Sequence, residues 1–247
     1  MIIPCIDLMD GAAVQLVQGR EKALEAGAPE AVLEKFAAFP VIQVIDLDAA
    51  LGTGSNEAVI AQLAARHRLW VGGGVRTVEA AQRLLAAGAE KVIVGTAAFR
   101  ADGLNHEFLH ELAARVPNEA LLLALDSRDG RIVVKGWRES LEVSATDIIQ
   151  QIEPYCGGCL CTYVDKEGMM QGTDLDWFRS LRGATSLEIT AAGGITTYEE
   201  VEALLEMRVH VALGMAIYTG RMDLARLAGM NPFERSASHK GHEGSQR

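Results

Sequence analysis

Val71-Gly72-Gly73-Gly74-Val75-Arg76-Thr77 and Ala191-Ala192-Gly193-Gly194-Ile195-Thr196-Thr197 are two versions of one phrase, set 120 residues apart. Each follows a short apolar run and leads into an amphipathic stretch. Each therefore reads as a buried strand, a glycine turn and a helix opened by a threonine cap. Working outward, Pro4-Cys5-Ile6-Asp7 resembles Leu123-Ala124-Leu125-Asp126, and Val44-Ile45-Asp46 resembles Tyr163-Val164-Asp165, both at a spacing of 119. Val94-Gly95 and Leu213-Gly214 recur at the same spacing. Landmarks that hold one offset imply an internal repeat, two halves of about residues 1–116 and 120–230. Either half alone would leave open sheet edges and an unfilled core, so the two are expected to close into one domain.

Eight apolar runs carry the strands, at residues 2–6, 41–46, 69–72, 91–94, 121–125, 160–164, 187–191 and 210–213. They are rich in Val, Ile and Leu without polar alternation, the pattern of parallel strands covered on both faces. Helical patterns lie between them, at 29–39, 57–66, 78–87 and 145–153 among others. Eight strand–helix units in 247 residues predict a (β/α)₈ TIM barrel built from two (β/α)₄ half-barrels, spanning residues 1–230. Residues 231–247 are polar and aperiodic and are expected to form a flexible tail.

Composition narrows the function. A net charge of −10 disfavours nucleic acid and anionic membranes as partners. No apolar run is long enough to span a bilayer and the start of the chain lacks a secretory signal pattern, so a cytoplasmic protein is expected; it is taken to be a monomer, although nothing in the sequence reports oligomeric state. Chemistry in such a barrel gathers at the C-terminal ends of the strands, where every repeat landmark falls. Asp7 and Asp126 would face each other across the mouth, a candidate acid/base pair. Gly73, Gly74 and Arg76, completed by Gly95 and Thr96, form one candidate phosphate cradle; Gly193 and Gly194, completed by Gly214 and Met215, form the other. Glycines there let backbone N–H groups approach an anion at a helix N-terminus. Two cradles in pseudo-twofold register imply an elongated ligand with a phosphate at each end.

The strings IDLMDGAAVQLVQG, VIDLDAALG, VGGGVRT, VIVGTAA, ALDSRDGRIVVKGW, AAGGIT and LGMAIYTG run in order through residues 1–230. Together they resemble the phosphoribosylformimino-5-aminoimidazole carboxamide ribotide (ProFAR) isomerase family of histidine biosynthesis. The resemblance implies an Amadori rearrangement, aminoaldose to aminoketose, on a bisphosphorylated nucleotide, with no metal or organic cofactor. It implies Asp126 as acid and Asp7 as base, with Thr162, Trp137, Gly19 and Glu167 at the substrate. The sister cyclase of the same pathway shares the aspartates and both phosphate loops; the VQLVQG string and Lys135-Gly136-Trp137 favour the isomerase. A third reading is a catalytically silent barrel that binds a phosphorylated nucleotide. Two departures from the family pattern stand out: Glu167 replaces an aspartate, and Gln15 stands where many members carry arginine.

Two further motifs read as chance. His106-Glu107-Phe108-Leu109-His110 has the spacing of a zinc-binding helix. The stripe Leu104, Phe108, Leu112 and Val116 would pack that helix on the barrel and leave both histidines in solvent. Cys156-Gly157-Gly158-Cys159 has redox spacing but no second pair or nearby histidine, and its glycines read as a helix end ahead of a strand at Leu160. The four cysteines are expected to be reduced.

Overall fold

In the computed structural model, which describes residues 1–17, 21–169 and 171–231, the chain forms a closed barrel of eight parallel strands. These are β1 (Ile2–Met9), β2 (Ile42–Asp46), β3 (Leu69–Gly72), β4 (Lys91–Val94), β5 (Leu121–Ala124), β6 (Gly158–Thr162), β7 (Glu188–Ala192) and β8 (His210–Leu213). They pair in chain order, and β8 pairs β1 to close the ring. A helix follows each: Pro29–Lys35, Glu57–Ala64, Val78–Ala86, His106–Arg115, Ala145–Ile148, Leu175–Ala184, Tyr198–Glu206 and Leu224–Met230. Every expected strand is present. The expected helices at 29–39, 57–66 and 145–153 end early, because their last residues turn or tighten before the next strand.

Ridges of apolar side chains on the helices pack against the outer face of the barrel in one large core. The barrel interior is filled separately, by Ile3, Val41, Trp70, Ile93, Leu122, Leu160 and Ala212. Cys5, Ile45, Ala124 and Ala192 lie partly covered on top of that plug. Gly72 adds no side chain at the same height; a Cβ there would meet Ile45 and Ile93 at 3.0 Å. The upper layer, with Cys5, Ala124 and Ala192, is partly open to solvent, whereas the plug beneath it is buried. Near the opposite end Lys91, Glu188 and His210 come together, with Lys91 Nζ 2.8 Å from Glu188 and 4.5 Å from the centre of the Trp70 ring.

Strand register refines one sequence likeness. Asp7 pairs Ile45, and Ile45 pairs Gly72. On the other side Ala124 pairs Leu160, which sets Asp126 level with Thr162, and Thr162 pairs Ala192. Thr162 thus stands where Ile45 does, 117 residues on, and Tyr163 stands where Asp46 does. The likeness of Asp46 to Asp165 at a spacing of 119 is two residues out of register; Asp165 occupies the place of Asp48. The remaining strands keep the 119 or 120 spacing.

The expected tail falls almost wholly outside the described residues, which stop at Asn231. Asn231 itself is buried, its N–H donating to Ala228 O at 3.1 Å. No helix among the described residues is long and apolar enough to cross a membrane.

Candidate active site

The last residues of β1 and the residues just after β5 bring carboxyl groups to the C-terminal rim of the barrel. Burial raises the Asp7 pKa to about 7. Glu167, on the turn after β6, is also raised to about 7, by burial and then by the charges of Asp7 and Asp126. Asp126 is raised by burial as well, but hydrogen bonds from Thr162 and Trp137 pull it back. The Trp137 indole Nε1 donates to Asp126 Oδ2 at 2.8 Å. Cys5, one turn of the pleat below Asp7, has its thiol pKa pushed up by burial and by the charges of Asp7 and Glu167. Three carboxyl groups therefore share one electrostatic neighbourhood, and they cannot all ionise at neutral pH without strong repulsion.

Each aspartate leads into a hairpin. After Asp7 the chain turns at Asp10-Gly11, with φ of 51° and 75°; after Asp126 it turns at Asp129-Gly130, with φ of 50° and 75°. Both turns have the left-handed pair that joins two strands tightly, for which Asp-Gly is well suited. Asp10 N donates to Asp48 at 2.7 Å and Asp129 N donates to Asp165 at 3.0 Å, so each turn is pinned to the following βα loop in the same way. Beyond the turns the two loops diverge. The first returns along Ala12–Val17 and Glu21–Gly27, and buries Gln15 so that a Cβ on Gly214 would lie 2.7 Å from its Oε1. The second returns along Arg131–Val134 into a left-handed turn in which Lys135, Gly136 and Trp137 have φ of 55°, 66° and 64°. The cations of this loop face away from Asp126: an Arg128 guanidinium N–H donates to Trp137 O at 2.9 Å, and Lys135 Nζ pairs with Glu139.

The glycine loops are constrained from behind. Gly73 has φ of 100°, and a Cβ on it would lie 2.2 Å from Asp46 O; Gly193 has φ of 95°, and a Cβ would lie 2.4 Å from Tyr163 O. Backbone fits against backbone here, so only glycine is accommodated. Thr77 Oγ1 then accepts from Ala80 N at 3.2 Å, and Thr197 Oγ1 from Glu200 N at 3.2 Å, opening the helices with their N-termini toward the mouth. Gly95 and Gly214 precede short helical turns, Thr96–Ala98 and Met215–Tyr218, with matching backbone angles of −104°, −113° and −112°, −100°. Arg76 is turned aside: its guanidinium donates to Ala49 O at 2.9 Å and Ala50 O at 2.6 Å. Gly19 lies outside the described residues.

Several supporting residues were not among the candidate site residues. Asp46 accepts from Ala49 N, Asn56 N and the Asn56 amide, and Asn56 Oδ1 accepts from Gly11 N at 3.0 Å. Glu200 accepts from Thr173 N, Thr196 N and Thr197 N at 2.7, 2.9 and 3.0 Å. Polar residues buried beneath loops are legible only once the loops are assembled; the Thr197–Glu200 capping-box spacing was the one local hint.

The two decoy motifs have local roles. His106 and His110 both contact the Tyr155 hydroxyl, at 3.1 and 3.2 Å, on an outer helix held down by Leu109 and Leu112, with Phe108 only partly covered. No group of three or more His, Cys, Asp or Glu suited to a metal occurs among the described residues. All four cysteines are free, and burial raises Cys156 to about 12. Strand β6 begins at Gly158 rather than Leu160, which places Cys159 inside it.

Residues 1–223 match the family described as "Histidine biosynthesis protein". The chain is 37% identical over 233 residues to a protein of Methanocaldococcus jannaschii, an alignment covering 92% of this chain and 97% of that one. Relatives in Myxococcus xanthus, at 38%, and Gemmatimonas aurantiaca, at 36%, are covered to the same extent. All three are named 1-(5-phosphoribosyl)-5-((5-phosphoribosylamino)methylideneamino)imidazole-4-carboxamide isomerase.

Proposed function

Because the chain belongs to the histidine biosynthesis protein family, we propose that its mouth carries out the isomerisation for which these relatives are named, the conversion of ProFAR from aminoaldose to aminoketose. The activity is that of an aldose–ketose isomerase of histidine biosynthesis. The chemistry requires an acid and a base, and the family resemblance says which aspartate is which. An acid must protonate the ribose ring oxygen so that the ring opens, and a base must then remove the C2 proton; the enolamine that results collapses to the ketose. Asp126 serves as the acid and Asp7 as the base, from opposite sides of the mouth.

The observation that supports acid–base chemistry here is the shared field of Asp7, Asp126 and Glu167: burial raises all three, Asp7 and Glu167 to about 7. Ordinary aspartates would both be ionised at pH 7 and neither could donate. Three carboxyl groups in one buried neighbourhood keep at least one proton among them, and an arriving substrate with two phosphates raises their affinity for it further. Proton transfers between carbon, oxygen and carboxyl need no redox or organic cofactor.

Gly73, Gly74, Gly95 and Thr96 hold one phosphate through backbone N–H groups; Gly193, Gly194, Gly214 and Met215 hold the other. Thr162, Glu167 and Trp137 lie between, against the ribose, and Gly19 joins them as a substrate residue on the resemblance alone. Arg76 supports its cradle through the Ala49 and Ala50 carbonyls. The matched turns, cradles and caps favour two half-barrels, residues 1–116 and 120–230, as the building units. The enzyme acts as a cytoplasmic monomer. Incubation of the purified chain with ProFAR, coupled to the downstream synthase, tests the reading: saturable turnover is expected, and substrate left unconsumed would overturn it.

A further inference from the structure

Loop 5 is tied down at two points that belong to different parts of the site. Lys135 N donates to Thr96 Oγ1 at 2.8 Å, on the rim of the cradle after β4. Two residues on, Trp137 Nε1 donates to Asp126 Oδ2 at 2.8 Å. Between them the backbone makes one left-handed turn, with non-glycine residues at Lys135 and Trp137 in a conformation that L-residues adopt only under constraint. Consecutive residues of one helical sense aim their leading N–H groups the same way, so the Thr96 oxygen caps this turn much as a serine caps an ordinary helix. Arg138 N donates to Val134 O at 3.1 Å and Val134 pairs Glu139, so the hairpin closes the turn at its base. Lys135 and Gly136 are exposed and Trp137 is half-buried, so the orientation of the turn's tip rests on the Thr96 and Asp126 contacts, the Arg128 bond to Trp137 O and the exposed Lys135–Glu139 pair.

We infer that Thr96 is a positioning residue for the acid: by capping the Lys135–Trp137 turn it sets the Trp137 indole N–H on Asp126. The inference rests on the reading of Asp126 as the acid and of the Gly95–Thr96 turn as a phosphate cradle. In the protonated acid the Trp137 N–H meets the carbonyl oxygen and leaves the other oxygen to hold the proton for the ring oxygen. After transfer the same N–H stabilises the carboxylate, so the bond strengthens as charge develops. A Thr hydroxyl can accept from Lys135 N–H while donating its own proton to a phosphate oxygen. Phosphate in the cradle therefore leaves the cap in place and polarises it, which couples occupancy of one end of the substrate to the acid at the centre.

The test compares Thr96→Val, Thr96→Ser, Trp137→Phe and the Thr96→Val/Trp137→Phe double variant. Thr96→Val and Trp137→Phe should each lower kcat about tenfold, the scale of one hydrogen bond to a charged group. Each should also move the high-pH limb of the kcat profile upward by about one pH unit, because an Asp126 without its donor holds its proton longer. Thr96→Ser should restore both. The double variant should be no worse than either single one, since both changes remove the same contact. A Thr96 that serves phosphate alone would raise KM, leave the pH limb in place and add to Trp137→Phe; that outcome overturns the inference.

A second arm does not depend on turnover. Tryptophan emission from residue 137, taken as the difference between the full chain and its Trp137→Phe variant, should change in Asp126→Ala and in Thr96→Val alike, and stay unchanged in Thr96→Ser. Emission in Thr96→Val that matches the parent refutes the cap even if Asp126 proves not to be the acid. Wild-type kcat in Asp126→Asn with the emission pattern as expected removes the catalytic reading and leaves the cap standing.

Discussion

The hairpins after Asp7 and Asp126 begin alike and end differently. Each turns on an Asp-Gly pair with nearly identical backbone angles, and each is pinned through the aspartate N–H to a carboxylate of the next loop. The first then folds Gln15 under Gly214 and gives Asp7 no hydrogen-bond donor among the described residues, so burial alone sets its proton affinity. The second folds into a left-handed turn and supplies Asp126 with the Trp137 indole. Equal scaffolding thus delivers two equal carboxyl groups, and unequal loop ends make them chemically distinct. The larger rise belongs to Asp7, because Trp137 and Thr162 offset the burial of Asp126.

The strongest way to break this comparison is to neutralise each aspartate. Asp7→Asn and Asp126→Asn should each reduce kcat by about 10²- to 10⁴-fold while a product analogue binds nearly as before. Near-parental kcat in Asp7→Asn would remove it from the base role. A second, smaller effect probes the scaffolding itself. Gly73→Ala and Gly193→Ala both force a Cβ onto a carbonyl oxygen at positive φ, and each should cost about 3 kcal/mol in urea unfolding. Similar costs support the matched geometry; a harmless change on one side only would break it.

Stability against pH separates the aspartates more finely. Asp7 rises from 3.8 to about 7 on folding, so the folded state binds its proton more tightly than the unfolded chain. Its contribution favours folding most below about pH 4 and is lost as pH climbs to 7. Asp7→Asn should therefore gain about 4 kcal/mol at most on the parent chain between pH 4 and pH 8, and Asp126→Asn should gain less. Equal gains would mean that Trp137 and Thr162 do not offset burial. The mildest contrast lies at the helix caps. Thr77→Ala should cost about 1 kcal/mol, whereas Glu200→Ala should cost about 2 kcal/mol, since it strands three backbone N–H groups rather than one. Thermal unfolding of the two variants side by side resolves the difference.

The strands were legible because a strand buried on both faces must be apolar throughout, and runs such as Leu121-Leu122-Leu123 leave no other reading. Asp7, Asp126 and the glycine loops were legible because the same irregularities recur after equivalent strands. The first hairpin was missed although its Asp-Gly turn was in view, since the strand was ended at Ile6 before the turn could be paired. The two-residue slip at Asp46 and Asp165 has a similar origin. Short strings that end in aspartate look alike at any small offset, and only hydrogen-bonded register distinguishes a residue facing the core from its neighbour. Arg76 shows the limit of residue type as a guide: a cation beside an anion cradle is as readily spent on the carbonyls that end a short helix. Asn56 and Glu200 were legible at most as local caps, because Gly11 N and Thr173 N, which they also hold, lie on other loops.

The stepped filling of the barrel, solid below and small-walled above, sorts mutations by depth. Enlarging Ile3, Leu122 or Leu160 has nowhere to go and is charged to the fold as strain among close-packed neighbours. Enlarging the partly exposed Cys5, Ala124 or Ala192 pushes toward the mouth, so the same added methyl is felt by whatever enters it. Variation in that ring can reshape what the barrel accepts while the plug beneath keeps the architecture intact. A single layer of small side chains thus marks the boundary between what this chain must conserve to fold and what it is free to change to bind.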